Sequence, residues 1–206
     1  DFTHELMATE PEEFVTALFG AMRAKLLYVG ADFTFGSKAR GDVEMLLEAA
    51  GEHGAEVRVA DDVHDPDGRR VSSTWIRDSL ALGRVEDAAI MLGRNHRVRG
   101  TVVHGQQRGR ALGFPTANLE SHPEGFIPVD GVYAAWAEID GRRYQAAVSI
   151  GDNPTFDGHL ERVVEAHLLD ADIDVYGKVM TVEFVRFLRT MHRFEGIDAL
   201  IEQMDR

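Results

Sequence analysis

Two rhythms run along this chain of 206 residues, and the change between them near Gly93 limits the fold more than any other feature. Before it, short apolar runs alternate with helical patterns. Glu10-Pro11-Glu12-Glu13 sets proline and acids in a first turn, where the helix dipole favours them. Phe14, Leu18 and Phe19 follow at helical spacing, which predicts a helix over 10–25. Leu26 to Gly30 and Glu56 to Ala60 read as strands, with a helix over Val43 to His53 between them. Thr74 to Leu82 and Val85 to Leu92 read as two short helices split by Gly83. Strands separated by helices imply a parallel α/β sheet. After Gly93 the strand signal dominates: Val98 to Val103, Gly131 to Asp140, Arg143 to Ile150, Arg162 to Leu169 and Val179 to Phe187, with a last helix from about Ile197. Asp140-Gly141 is a hairpin turn dipeptide. The expectation is a partial Rossmann-like α/β domain over 1–92 and a small antiparallel β-barrel with a C-terminal helix over 93–206.

Composition excludes several functions. With no cysteine there is no disulfide, thiol catalysis or Cys-ligated metal, and a reducing, cytoplasmic setting is expected. A formal net charge of −13 opposes general binding to nucleic-acid phosphates. No apolar run approaches the ~18–20 residues of a membrane span, and Asp1-Phe2-Thr3-His4 has no basic-then-apolar start. The expected partners are small molecules, with neither nucleic acid nor membrane. Asp1 is not a translation start, so a processed or partial chain is expected.

Against this acidic background, Met91 to Leu119 contains no acid at all. It carries Arg94, Arg97, Arg99, Arg108 and Arg110, with His96 and His104. Such a stretch can hold an anion. Within it, Gly105, Arg108, Gly109, Arg110 and Gly113 make a flexible basic loop whose backbone N–H groups and guanidiniums suit phosphate oxygens. Thr116 and Asn118 lie two apart, and on extended backbone they share a face. Their neutral oxygens suit a Mg²⁺ that completes its shell with phosphate and water; they suit turn hydrogen bonds as well.

The run Gly105-Gln106-Gln107-Arg108-Gly109-Arg110-Ala111-Leu112-Gly113-Phe114-Pro115-Thr116-Ala117-Asn118 resembles the nucleotide loop of riboflavin kinases. Asp130-Gly131-Val132-Tyr133-Ala134, Ile150-Gly151-Asp152-Asn153-Pro154-Thr155-Phe156, Val164-Glu165-Ala166-His167-Leu168-Leu169-Asp170, Val175-Tyr176-Gly177 and Phe187-Leu188-Arg189 follow in order. Together they resemble the bacterial bifunctional riboflavin kinase/FMN adenylyltransferases, or FAD synthetases, over essentially the whole chain. The resemblance implies transfer of the ATP γ-phosphate to the riboflavin 5′-hydroxyl. It assigns Gly105, Arg108, Gly109, Arg110 and Thr116 to ATP, Thr116 and Asn118 to Mg²⁺, and Glu165 to activation of the hydroxyl. It places Arg189 by the flavin, where Phe114 and Phe194 could add apolar surface.

In the first half, Gly30-Ala31-Asp32-Phe33-Thr34-Phe35-Gly36 follows a strand and Ser72-Ser73-Thr74-Trp75-Ile76-Arg77 opens a helix. Hydroxyls there cap free N–H groups, and such an end accepts anions. The same resemblance assigns Asp32, Phe33, Ser72, Ser73, Thr74 and Arg77 to ATP and FMN in an adenylyltransferase that makes FAD. That family carries an earlier His-x-Gly-His motif which this sequence lacks, so the sequence is expected to start partway into that domain. Adenylylation is accordingly expected of a full-length protein and not of this polypeptide. Two other readings compete with a kinase: a catalytically impaired flavin- or nucleotide-binding module, and a different Mg²⁺-nucleotide transferase on the same barrel.

Overall fold

The computed structural model describes residues 3–105, 115–154, 160–171 and 173–191. The chain divides into two compact units, with the boundary along the sequence between Arg70 and Val71.

In the first unit, α1 (His4–Ala8) opens under a Thr3 cap, whose hydroxyl accepts the Leu6 N–H at 3.2 Å. α2 (Pro11–Val15) continues into a wider turn over Thr16–Ala21. The helix expected to reach residue 25 therefore stops sooner, and Arg23 turns the chain at φ 54°. β1 (Leu26–Gly30) and β2 (Glu56–Ala60) pair in parallel, Leu27 opposite Val57 and Val29 opposite Val59. α3 (Val43–Glu52) links them, capped by Asp42 accepting the Met45 N–H at 3.0 Å. One face of the sheet packs Leu27 and Val29 with Leu46, Ala49 and Ala50 of α3 and with Val15 and Phe19. This βαβ order is the parallel pattern expected from the alternating rhythm.

The second unit is a closed barrel. Its strands are β3 (His96–Val103), β4 (Thr116–Leu119), β5 (Gly131–Ile139), β6 (Arg142–Pro154), β7 (Leu160–Leu168) and β8 (Val179–Arg189). They run in the order β3-β4-β7-β6-β5-β8, all pairs antiparallel, with β8 returning to β3. Alternate side chains fill the interior: Tyr133, Ala135 and Ala137 from β5, Val148 and Ile150 from β6, Val164 and Ala166 from β7, and Met180, Val182 and Phe184 from β8. Asp140 and Gly141 both have positive φ, 51° and 74°, the primed turn that suits a twisted hairpin. The short β4 alternates Thr116 and Asn118 with Ala117 and Leu119, but four residues are too short a run for the period to mark a strand, and tertiary pairing makes it one.

Two helices belong to this unit by packing. α4 (Ser73–Ala81) and α5 (Val85–Leu92) put Leu80, Val85 and Ala88 into the same core as the barrel. The Val129 N–H donates to the Leu80 carbonyl at 3.1 Å. The packing boundary thus precedes α4, while the change of sequence rhythm follows α5. The last helix expected from about Ile197 lies outside the described residues.

Candidate functional site

Strand register brings the site together. Asn118 on β4 stands opposite Glu165 on β7, and Glu165 stands opposite Ser149 on β6. Directly paired residues share a face, so Asn118, Glu165 and Ser149 form one row across three strands. Thr116, His167 and Ala147 form the next row. The interleaved Ala117, Ala166 and Val148 point into the barrel and are buried. The polar rows therefore lie on the outer face of β4, β7 and β6.

Asn118 is only 6% exposed. A Cβ on Gly105 would stand 2.6 Å from Asn118 Cγ, so the loop backbone approaches this amide as only glycine permits. His167 donates from Nδ1 to the Pro115 carbonyl at 2.9 Å, which pins the entry of β4 beside Thr116. The arrangement gives Thr116 and Asn118 one shared face beside the loop, a donor set of neutral oxygens that suits a hard cation. Among the described residues no trio of His, Asp or Glu is placed to hold a metal ion.

Two cavities border these strands. The larger, about 580 Å³, is lined by Thr116, Ala166, Leu168, Val175, His104 and Tyr176 among others. Its His104 and Tyr176 rings stack with centroids 3.8 Å apart. The smaller, about 210 Å³, is lined by Asp130, Ser149, Gly151, Asp152, Val163, Glu165 and Met191. Glu165 thus opens to the second cavity and Thr116 to the first. Arg189 ends β8 opposite Val132, donates from Nη1 to the Thr190 carbonyl at 3.3 Å, and is not in either cavity's lining. Arg108, Gly109, Arg110, Phe114 and Phe194 lie outside the described residues.

The acid-free stretch is less open to anions than its sequence implies. Arg97 gives two hydrogen bonds to Glu183, at 3.1 and 2.8 Å, and Arg99 pairs with Glu124 at 3.3 Å. Register brings these acids in from β8 and from the segment before β5. Burial works to raise the Glu183 carboxyl, but hydrogen bonds from Asn95 and Arg97 and the charges of Arg97 and Arg143 outweigh it and hold it low. His96 is buried, donates from Nε2 to the Phe126 carbonyl at 2.7 Å, and burial lowers its pKa.

The residues expected in the first-half site fall in different units. Asp32 follows β1 and receives Arg70 Nη2 at 2.7 Å, while Arg70 Nε reaches Asp62, after β2, at 2.8 Å. The hydrogen bond from Arg70 and its charge hold Asp32 below the usual carboxylate range. Phe33 stacks on Phe35 at 5.9 Å and packs against the first core. In the second unit, the Ser72 hydroxyl caps α4 by accepting the Trp75 N–H at 3.2 Å, and Ser73, Thr74 and Arg77 occupy its first turns. Sequence reasoning gives Ser149 no role, names Asp130, Asp152 and Tyr176 only within motifs, and names His104 only within the acid-free stretch. The pairing register that sets Ser149 beside Glu165 has no local signal.

Fold and site together define a closed six-stranded antiparallel barrel with a polar row on the outer face of β4, β7 and β6. The family model described as riboflavin kinase matches residues 92–206, more than half of the chain, and the chain belongs to that family. A second family model, FAD synthetase, matches residues 1–75. Among curated relatives, the bifunctional riboflavin kinase/FMN adenylyltransferase of Listeria monocytogenes is 32% identical over 100% of this chain and 65% of its own length. That of Pseudomonas fluorescens is 38% identical over 97% of this chain and 64% of its own length. The chain therefore spans about two thirds, at 65% and 64%, of these relatives. A crystal structure named as a macrolide-efflux protein of Streptococcus pneumoniae matches all of this chain and 66% of its own, with 36% identity and a TM-score of 0.79. Among the described residues no helix is long and apolar enough to cross a membrane.

Proposed function

We propose that this chain is a riboflavin kinase, transferring the terminal phosphate of ATP to the 5′-hydroxyl of riboflavin to give FMN and ADP. The observation that carries the reading is the row Asn118–Glu165–Ser149, which sets one carboxylate between the Thr116–Asn118 pair and the smaller cavity. In this reading the larger cavity takes the nucleotide and the smaller one the alcohol. Glu165 accepts the hydroxyl proton as the oxygen–phosphorus bond forms and the bond to the leaving ADP breaks. Thr116 and Asn118 would hold Mg²⁺, which supplies charge neutralisation on the phosphates when bound. The buried Asn118 and the glycine-only approach of Gly105 support that fit. Arg108, Gly109 and Arg110 belong to the phosphate loop by resemblance, and Arg189, Phe114 and Phe194 to the flavin side.

The FAD synthetase match over residues 1–75 favours a second activity in a protein of the relatives' full length. That activity is transfer of AMP from ATP to FMN, with Asp32, Phe33, Ser72, Ser73, Thr74 and Arg77 as its residues.

The test is incubation of the chain with riboflavin, ATP and Mg²⁺, followed by chromatographic separation of the flavins. FMN is expected. Riboflavin bound but not phosphorylated would replace the kinase reading with a binding module.

A further inference from the structure

The smaller cavity has an unusual balance of groups. Among the described residues its polar lining is Asp130, Ser149, Asp152 and Glu165, three carboxylates and a hydroxyl, with no cationic side chain among them. Such a surface calls for a ligand rich in donors. A metal ion is one such ligand, but no acidic trio among the described residues is placed to hold one. Val163, Gly151 and Met191 supply apolar wall, with Met191 Cε 3.4 Å from where a Gly151 Cβ would stand. On β6 and β7 the acceptor row Ser149–Glu165 adjoins the apolar row Gly151–Val163, and this mixture fits a chain of carbons bearing hydroxyls.

Asp130 is an acceptor held in place by a charged partner. Arg162 on β7 donates from Nε to Asp130 Oδ1 at 2.8 Å and from Nη2 to the Pro128 carbonyl at 2.6 Å. The salt-bridge contact from Nη2 also goes to Oδ1, at 2.8 Å. Among the described residues Oδ2 takes no hydrogen bond. The segment before β5 is tied down twice more, by the Tyr133 hydroxyl on the Val129 carbonyl and by the Val129 N–H on Leu80. A planar guanidinium that grips a carboxylate and a neighbouring carbonyl together sets orientation as well as charge. Arg162 and Glu165 lie on one strand, so the same strand that presents the proposed base aims Asp130 at the same cavity.

We propose that Asp130 is a specificity-determining residue that accepts hydrogen bonds from the secondary hydroxyls of a polyol chain, with Arg162 as its positioning residue. The proposal rests on the kinase reading for the identity of the polyol, the ribityl chain of riboflavin. It assigns Asp130 to recognition and leaves proton transfer to Glu165.

The experiment compares riboflavin with a flavin bearing a 5-hydroxypentyl chain, which keeps the terminal hydroxyl and lacks the secondary ones. Both kcat/KM and the flavin dissociation constant are measured for the wild-type chain, Asp130→Ala, Asp130→Asn and Arg162→Lys, with a thermal melt for each. Asp130→Ala is expected to lose about tenfold or more on riboflavin, mostly in KM, and almost nothing on the hydroxypentyl flavin. Arg162→Lys keeps a charge but loses the double grip, so it should lose less and on riboflavin alone. If Asp130→Ala melts early, Asp130→Asn carries the comparison. Equal losses on both flavins, or none on riboflavin, overturn the inference and leave the kinase reading intact. Riboflavin binding without turnover removes the kinase reading, and the ratio of the two dissociation constants then decides the inference. Absence of riboflavin binding by the wild-type chain overturns both.

Discussion

In the barrel every strand has a hydrogen-bonded neighbour on each side, whereas among the described residues β1 and β2 pair with each other alone. The side chains differ accordingly. Inward positions of the barrel such as Val148, Val182 and Phe184 are fully buried, while Leu26 and Tyr28 on β1 are 42% and 63% exposed. Closure removes sheet edges and fixes register all the way around. A two-stranded sheet is marginal by itself and leans on the helix packed against one face. The groups that could do chemistry follow the same division. In the barrel they are set by strand pairing, as Asn118, Glu165 and Ser149 are. In the first unit Asp32, Asp62 and Arg70 sit on exposed loops and are held by ion pairs. Paired strands place a side chain to fractions of an ångström; solvent-exposed ion pairs hold it weakly.

The largest expected effect tests whether the barrel carries the chemistry. Glu165→Gln keeps the shape and removes the base, so kcat for FMN formation should fall by roughly a hundred- to ten-thousandfold with ATP affinity unchanged. Unaltered turnover would take the base from this strand. Next comes the separateness of the two units. Phe184 is fully buried, and Phe184→Ala should cost about 3–5 kcal/mol of barrel stability. Denaturation followed by proteolysis, with cleavage sites assigned to each unit, should show residues 71–191 losing protection and residues 3–70 keeping theirs. Simultaneous loss of both would mean one cooperative body and would dissolve the contrast.

A smaller change sharpens the role of close approach. Gly105→Ala would drive a methyl group into the Asn118 amide, and KM for ATP should rise about tenfold, near 1.4 kcal/mol, with riboflavin binding unaffected. A matching loss of riboflavin affinity would show that the two cavities are not independent. The smallest effect is one of pH. Burial holds His96 below its ordinary value of 6.5, so the unfolded chain binds the proton more readily than the barrel does. The stability His96 contributes is complete above the unfolded value and is lost as pH falls from there through the folded one. Glu183 is also depressed and works in the same direction at lower pH. The melting temperature of the barrel should therefore fall on acidification below about 6.5, and His96→Gln should flatten the first part of that fall.

Local pattern was enough for the elements with a strong period. The parallel βαβ of β1, α3 and β2, the hairpin at Asp140-Gly141 and the alternation of β5 to β8 all follow from spacing, because period and turn chemistry act over a few residues. The motif order also carried the family. Three things depended on long-range pairing. β4 is a strand because β3 and β7 supply its partners, at Val103 opposite Asn118 and at Ala117 opposite Ala166. Arg97 and Arg99 read as anion-holding cations until Glu183 and Glu124 arrive from elsewhere in the chain. Ser149 joins Glu165, and Arg162 reaches Asp130, across gaps in sequence that only a closed register sets. Sequence alone offered Thr116, Asn118 and Glu165 as candidates; the barrel decided which residues meet, because a hydrogen-bonded register is a property of pairs of strands and not of either strand alone.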